Sequence, residues 1–254
     1  MPFVKSDPDA HPLFFEWEAA GLDWLREARG GAACVTVLAV SSGRIELEEV
    51  RSVRPTAAAA RAFGRALART HDAGAEAFGA PPEGWSGPTY IGRRSMPCVP
   101  DTSWGRFYAE QRVRPFLAPA VDAGNLAPAA ARIVERALDR VADGALDDDS
   151  TPARIHGDLW SGNVLWSAES VVLIDPAAHG GHRETDLAML ALFGAPHFRA
   201  ILEGYRDEHP LAAGLEERVP LHQLHPLAVH AAGHGPSYGR ALSQAAARVL
   251  ALAG

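Results

Sequence analysis

In RIHGDLWSGNVLW, residues 154–166, the polar residues His156, Asp158, Ser161 and Asn163 stand among the apolar Ile155, Leu159, Val164, Leu165 and Trp166. Gly157 and Gly162 interrupt any helix. Asp, Asn, Ser and Gly are turn formers, so a plain turn would account for each residue singly. Their spacing suits phosphoryl transfer better. Transfer from a nucleotide to a hydroxyl needs a carboxylate at the acceptor and oxygen ligands for Mg²⁺. Asp158 can serve as the base, and Asn163, five residues later, can offer an amide oxygen to the metal. The kinase catalytic loop H-R-D-L-x-x-x-N has this spacing, and here it reads H-G-D-L-W-S-G-N. A second metal-binding carboxylate must follow at the end of an apolar strand. VVLIDP supplies it as Asp175, 17 residues after Asp158.

The same chemistry asks for a strand lysine to meet the nucleotide phosphates and a helical glutamate to hold it. Lys5 ends FVK, and Glu18 lies in FEWEAAGLDWL. Taken alone, Lys5 is a terminal lysine and Glu18 a solvated helix residue. Asp158, Asn163 and Asp175 downstream make them a candidate pair. Backbone groups around Glu48 to Val50, in IELEEV, are placed to meet an adenine ring, with an ordinary edge strand as the competing reading.

These side chains need elements to hold them. Residues 2–5 read as the end of a strand. Phe15, Ala19, Leu22 and Leu25 recur at helical spacing, which predicts a helix over 12–28, ended by Gly30-Gly31. CVTVLAV (34–40) and RIELEEV (44–50) flank Ser41-Ser42-Gly43 as a hairpin. Pro55 and Thr56 open a helix over 57–74. Further helices are expected near 103–122, 128–143, 184–193, 196–208, 217–231 and 237–252. Residues 79–100 read as an ordered Gly- and Pro-rich loop, and Asp147-Asp148-Asp149 as a solvated loop with no metal assigned. The β-like runs ARIH, NVLW and VVLID fill 154–175. The expected fold class is α+β and bilobal. A nucleotide-binding lobe over 1–52 precedes a mostly helical catalytic and acceptor-binding lobe over 53–254, with a cleft between them.

Composition narrows the classes of function. With 254 residues, 47% hydrophobic and 22% charged, the chain is that of a globular protein. No run approaches the roughly 20 apolar residues of a membrane span, and Met-Pro-Phe-Val-Lys has no signal-peptide pattern. Cys34 and Cys98 are too few for a disulfide framework or thiolate metal site, so a cytoplasmic setting is expected. The net charge of −7 suggests no nucleic-acid surface and suits an amine-bearing acceptor. No membrane partner is expected, and the chain is read as a monomer.

HGDLWSGN, IDP and GHRETDLAMLALFG (181–194) together resemble the fructosamine (ketosamine) kinases, within the aminoglycoside-phosphotransferase-like, protein-kinase-like fold. FVK, EAAGL, FGRALARTH (63–71), YIG (90–92), WGRFYAEQRV (104–113) and HQLHPLAVHAAGHGPSYGRA extend the resemblance over nearly the whole chain. It implies that Asp158 is the catalytic base, that Asn163 and Asp175 bind Mg²⁺, and that Lys5 with Glu18 holds ATP. It further implies that Trp160 stacks on the sugar, that His230 lines the acceptor pocket, and that Asp186 braces the catalytic loop, with His156 in the same supporting role. The implied reaction moves the γ-phosphate of ATP to the 3-hydroxyl of a ketosamine on a free or protein-bound amine, a deglycation repair. One departure stands out. The family has a strand, a Gly-rich turn and a second strand before the lysine, whereas this sequence begins three residues before its VK and contains no GxGxxG. The expectation is either a start placed too late or a lost nucleotide lid, which would leave a weak or inactive kinase.

Three other readings compete. His222, His225, His230 and His234 suggest zinc, but no HExxH or thiolate accompanies them, so they are read as structural or pocket histidines. A binding module that catalyses nothing would follow from loss of the lid. A phosphotransferase for aminoglycosides or choline-like hydroxyls would share the catalytic loop, and DLWSGN argues against it by resemblance.

Overall fold

A computed structural model describes residues 2–253. Strand β1 (Phe3–Ser6) pairs antiparallel with β4 (Arg44–Leu47), which pairs on its other side with β3 (Val37–Ser41). Helix α1 (Phe14–Arg26) lies between β1 and a short strand, β2 (Ala33–Cys34). It buries Phe15, Ala19, Leu22 and Leu25, the residues whose spacing predicts it. CVTVLAV is not one strand of a hairpin. Its beginning belongs to β2, which leaves the front sheet and runs parallel to β9 (Val171–Leu173), while only Val37 onward faces β4. Val35 N–H continues the β2–β9 pairing onto the Leu173 carbonyl at 3.0 Å.

After a segment without regular structure, 48–56, α2 spans Ala57–Asp72. The Thr56 hydroxyl accepts from Ala59 N–H and caps its start. The loop over 79–100 contains a small hairpin, β5 (Tyr90–Ile91) with β6 (Arg94–Ser95). The segment expected as one helix over 103–122 changes pitch three times. It runs as α3 (Trp104–Phe107), a π-helical stretch Tyr108–Val113, a 3₁₀ turn Arg114–Phe116 and α4 (Leu117–Asp122). The π stretch contains Arg112, whose buried guanidinium bonds His179 Nε2 at 3.1 Å. Helix α5 (Pro128–Ala142) leads to β7 (Ala153–Ile155).

The catalytic-loop segment follows β7. Strands β8 (Val164–Trp166) and β9 form an antiparallel hairpin, and β10 (His179–Gly181) returns to pair with β7. Helices α6 (Arg183–Leu192), α7 (Phe198–Glu208), α8 (Leu215–His222), α9 (Leu224–Ala231) and α10 (Pro236–Leu252) complete the chain. The helix expected over 217–231 is thus two helices joined at Gln223. Pro226 has no N–H to give the carbonyl one turn earlier, so the helical ladder breaks there.

Two buried clusters carry the fold. One joins α1, β2 and β4 to α2, the β8–β9 hairpin, α6 and α7 through residues such as Leu22, Ile45, Leu67, Leu173 and Ile201. The other is built from α3, α5, α9, α10 and the π stretch around Phe107, Leu138, Leu227 and Leu242. Among the described residues no helix is long and apolar enough to cross a membrane. Asp147 and Asp148 are more than a solvated loop. Asp147 accepts from Gly105 N–H at 2.9 Å at the start of α3, and Asp148 accepts from His182 at 3.3 Å.

Candidate active site

β1 and α1 bring together the first polar group. Lys5 Nζ donates to Glu18 Oε1 at 2.7 Å and also to the Asp175 carboxylate. These residues lie 13 and 170 positions apart, so the front sheet and the β9 end meet at one ammonium. Burial pushes the Glu18 carboxyl up to about 6; Lys5 pulls it down and Asp175 pushes it up. Asp175 holds a left-handed backbone, φ 53°, which is uncommon outside glycine and marks a sharp turn off β9.

The catalytic-loop segment is fixed from beneath by Asp186, on α6. Its buried carboxylate accepts from the backbone N–H groups of His156 at 2.8 Å and Gly157 at 3.0 Å, and from His71 Nε2 at 3.2 Å. Burial works to raise the pKa of Asp186, but His71, the His156 ring and the His156 N–H outweigh it and leave it below the usual carboxylate value. His71 Nδ1 faces the Tyr205 hydroxyl at 2.7 Å, and Tyr205 accepts from Arg183 at 3.1 Å. Asp186 therefore ties the loop to α2 and α7. His156 holds the loop from within. Its Nε2 meets the Ile174 carbonyl at 2.9 Å and its Nδ1 accepts from Asp158 N–H at 3.2 Å, an arrangement for a neutral ring. Burial lowers its pKa in keeping with that.

Asn163 closes the loop. Its Nδ2 donates to the Asp158 carbonyl at 2.8 Å, the Asp158 carboxylate at 3.3 Å and the Asp175 carbonyl at 3.4 Å. The amide nitrogen is thereby committed, and Oδ1 has no partner among the described residues. Asn163 Oδ1 and the Asp175 carboxylate form a set of hard oxygen donors, the kind Mg²⁺ takes. Asp158 has the opposite environment from Asp186. Burial raises its pKa to about 7; Asn163 pulls it down, and Asp175 and Asp186 raise it further. A carboxylate so placed can accept a proton near neutral pH.

Lys5, Glu18, Asp158, Asn163 and Asp175 line one cleft of about 420 Å³, walled also by Phe14, Trp17, Tyr90 and Pro176. Beyond Asp158 and Trp160 it continues into a second cavity of about 590 Å³, lined by Ile91, Arg93, Arg94, Val229, His230 and His234. Trp160 is 39% exposed. Its indole lies over Gly162, where a Cβ would come within 2.2 Å of the ring. Phe193 stands edge-on to Trp160 with centroids 6.1 Å apart, and His230 lies 4.8 Å from Phe193. The structure thus gathers Lys5, Glu18, Asp158, Asn163, Asp175, Trp160 and His230 along one continuous opening, with His156 and Asp186 beneath it.

Glu48 and Val50 line a different depression, with Cys34, Ser170 and Val172. Glu48 N–H is spent on the Thr36 carbonyl at 2.9 Å. Among the described residues neither the Glu48 carbonyl nor the Val50 N–H has a hydrogen-bond partner, and neither residue lines the cleft that holds Lys5, Asp158 and Asp175. The four tail histidines separate into two groups. His222 packs on His182 and Trp104, and His225 on Phe116, whereas His230 and His234 lie tilted against each other with ring centroids 5.1 Å apart. His182, Glu184 and His222 place their ligand atoms within 4.8 Å of one another. Each is already engaged, however: His182 accepts from Glu184 N–H and pairs with Asp148, Arg218 grips Glu184 at 2.6 and 2.9 Å, and His222 Nδ1 meets the Thr185 hydroxyl at 3.0 Å. The residues that sequence reasoning missed are Phe14, Tyr90 and the two arginines of the β5–β6 hairpin. YIG marked that hairpin only as part of a resemblance.

This architecture is the aminoglycoside-phosphotransferase-like, protein-kinase-like fold. Solved structures with the same fold include the gentamicin complex of APH(2″)-IIa, at TM-score 0.59 and 12% identity, covering 97% of this chain and 84% of that one. The chain belongs to the fructosamine kinase family, whose model matches residues 2–252. A structure from Thermobifida fusca assigned as a fructosamine-3-kinase superposes at TM-score 0.91 with 47% identity, over 98% of this chain and 85% of that one. A probable ketoamine kinase of Enterococcus faecium is 31% identical, over 95% of this chain and 85% of its own length.

Proposed function

We propose that this protein transfers the γ-phosphate of ATP to the 3-hydroxyl of a ketosamine, a fructosamine or ribulosamine on a free or protein-bound amine, with Mg²⁺ bound at Asn163 and Asp175. Family membership supports a ketosamine acceptor. The observation that carries the chemistry is the opening along which Lys5, Asp175 and Asn163 meet Asp158 and then the Trp160–His230 cavity.

The residues divide the work. Lys5, held by Glu18, neutralises charge on the nucleotide phosphates and exchanges its Asp175 contact for them. The metal, when bound, offsets charge on the transferred group. Asp158 accepts the proton of the 3-hydroxyl as the new oxygen–phosphorus bond forms and the bond to the β-phosphate oxygen breaks. Asn163 keeps the Asp158 carboxylate aimed by its 3.3 Å contact. Trp160 offers an aromatic face to the sugar. His230 donates Nδ1–H to the Pro226 carbonyl at 2.7 Å, which leaves Nε2 as an acceptor toward a sugar hydroxyl or amine. The phosphorylated product then breaks down and frees the amine, a deglycation repair.

The test is an ATP-consumption screen of the protein with ribulosamine and fructosamine derivatives of lysine, against kanamycin and choline, with and without Mg²⁺. Mg²⁺-dependent turnover of ketosamines is expected. Turnover of aminoglycosides or choline without any of ketosamines overturns the acceptor, and absence of ATP turnover with every acceptor overturns the reaction.

A further inference from the structure

The acceptor side of the opening has a polarity opposite to that of the chain. The sequence carries −7, yet the cavity beyond the base is lined by Arg93, Arg94, His230 and His234, with Asp158 as its one acid. Arg93 is largely exposed and paired with Asp7 at 2.7 Å. Arg94 is placed differently. It is half-buried on β6, and its Nη2 donates to the Ala232 carbonyl at the end of α9 at 2.8 Å. Gly233 leaves the room: a Cβ there would come within 2.6 Å of that nitrogen. Among the described residues no carboxylate pairs with Arg94, and the Ala232 carbonyl is its one hydrogen-bond partner. A half-buried guanidinium with spare N–H groups and no acid beside it is a bidentate receptor for an oxyanion.

We propose that the acceptor carries an anionic group, a carboxylate or a phosphate, and that Arg94 selects it. This rests on reading the cavity as the acceptor site. A ketosamine formed on a free α-amino acid carries a carboxylate at its amine end, and one formed from a sugar phosphate carries a phosphate at its sugar end. Either gives Arg94 two oxygens to bind. A polycationic aminoglycoside meets the unpaired Arg94 and, among the cavity's lining residues, no acid other than the base, so the cavity disfavours it. The acidic balance of the whole chain does not extend to this surface.

Two matched pairs of acceptors test the proposal. One pair is a ribulosamine of an α-amino acid and its amide; the other is a ribulosamine with and without a 5-phosphate. The apparent KM comes from ATP consumption, and Kd from quenching of tryptophan fluorescence without nucleotide. In at least one pair the anionic member is expected to bind roughly tenfold more tightly, the scale of one charge-assisted hydrogen bond. Added salt should shrink the preference. The pair that shows it identifies carboxylate or phosphate as the group read. Arg94→Gln should bring the two members level, and Arg94→Glu should reverse the order. The ratio is taken within each variant, so general loosening of the α9 end cancels. Equal binding within both pairs by the unaltered protein, or a preference that survives Arg94→Gln, overturns the proposal while leaving a ketosamine kinase in place. If no ketosamine is bound or phosphorylated, the acceptor reading fails and this proposal falls with it.

Discussion

Replacing Asp158 with asparagine should stabilise the protein while disabling it. The Asp158 carboxyl is raised from 3.8 to about 7, chiefly by burial. Below the lower value it is neutral in both the folded and unfolded chain and costs nothing. Between the two values the unfolded chain ionises first, so stability is lost as pH rises. Above about 7 the full penalty is in place. At about 1.4 kcal/mol per pH unit the interval corresponds to about 4 kcal/mol. The side chain keeps some contact with solvent, which reduces the expected gain to about 2 kcal/mol. For a chain of this size that is a rise in Tm of roughly 4–8 °C at pH 8, shrinking toward nothing near pH 4. The asparagine amide oxygen can still accept from Asn163, so the loop has little reason to move. The assay is a thermal melt of both proteins across pH 4–8, with turnover measured beside it. Turnover should fall roughly 10²–10⁴-fold, and in the unaltered enzyme it should rise with pH up to about 7. An Asp158→Asn protein that melts no higher than the parent at pH 8 refutes the burial reasoning. One that keeps more than about a tenth of the parent's turnover refutes the role of base.

Trp160→Ala removes the aromatic floor of the acceptor cavity, so the apparent KM for the ketosamine should rise several-fold more than that for ATP; an equal rise in both would assign the indole to the fold instead. Lys5→Met leaves Glu18 and Asp175 without their shared cation; nucleotide affinity, read by titration with Mg²⁺-ATP, should fall at least tenfold, and unchanged affinity would remove Lys5 from the site. Asp186→Ala strips the acceptor from two buried backbone N–H groups and from His71. It should cost about 3 kcal/mol or more in a denaturant titration, and a loss under about 1 kcal/mol would show that the loop holds without it.

Where the sequence was informative, local physics was in charge. Thr56 announces α2 because a capping hydroxyl acts within one turn, and α1 shows itself through Phe15, Leu22 and Leu25 because a helix repeats its buried face. Asp158, Asn163 and Asp175 are legible because loop and hairpin fix their separation along the chain, and the Lys5–Glu18 contact became visible only once they were recognised. What stayed hidden depends on distant partners. The parallel pairing of β2 with β9 joins residues nearly 140 positions apart through two-residue contacts that leave no periodic trace. The π stretch follows the same spacing of apolar residues as an ordinary helix. Arg94 lies in a segment that reads as loop, and its carbonyl partner is 138 residues away. Asp148 looks solvated until His182 is brought to it.

The β2–β9 pairing has a mechanical consequence. β2 follows α1, which carries Glu18, and β9 ends just before Asp175, so the β2–β9 pairing ties together the elements that hold two of the groups proposed to handle the nucleotide. Trp160, Arg94 and His230 come instead from a turn, a two-residue hairpin strand and the end of a short helix. Mutation can reshape that side without disturbing how phosphate is delivered. On the proposed roles, such a division makes the acceptor range the evolvable half of the protein, open to drift toward new acceptors while the phosphate-handling half stays fixed.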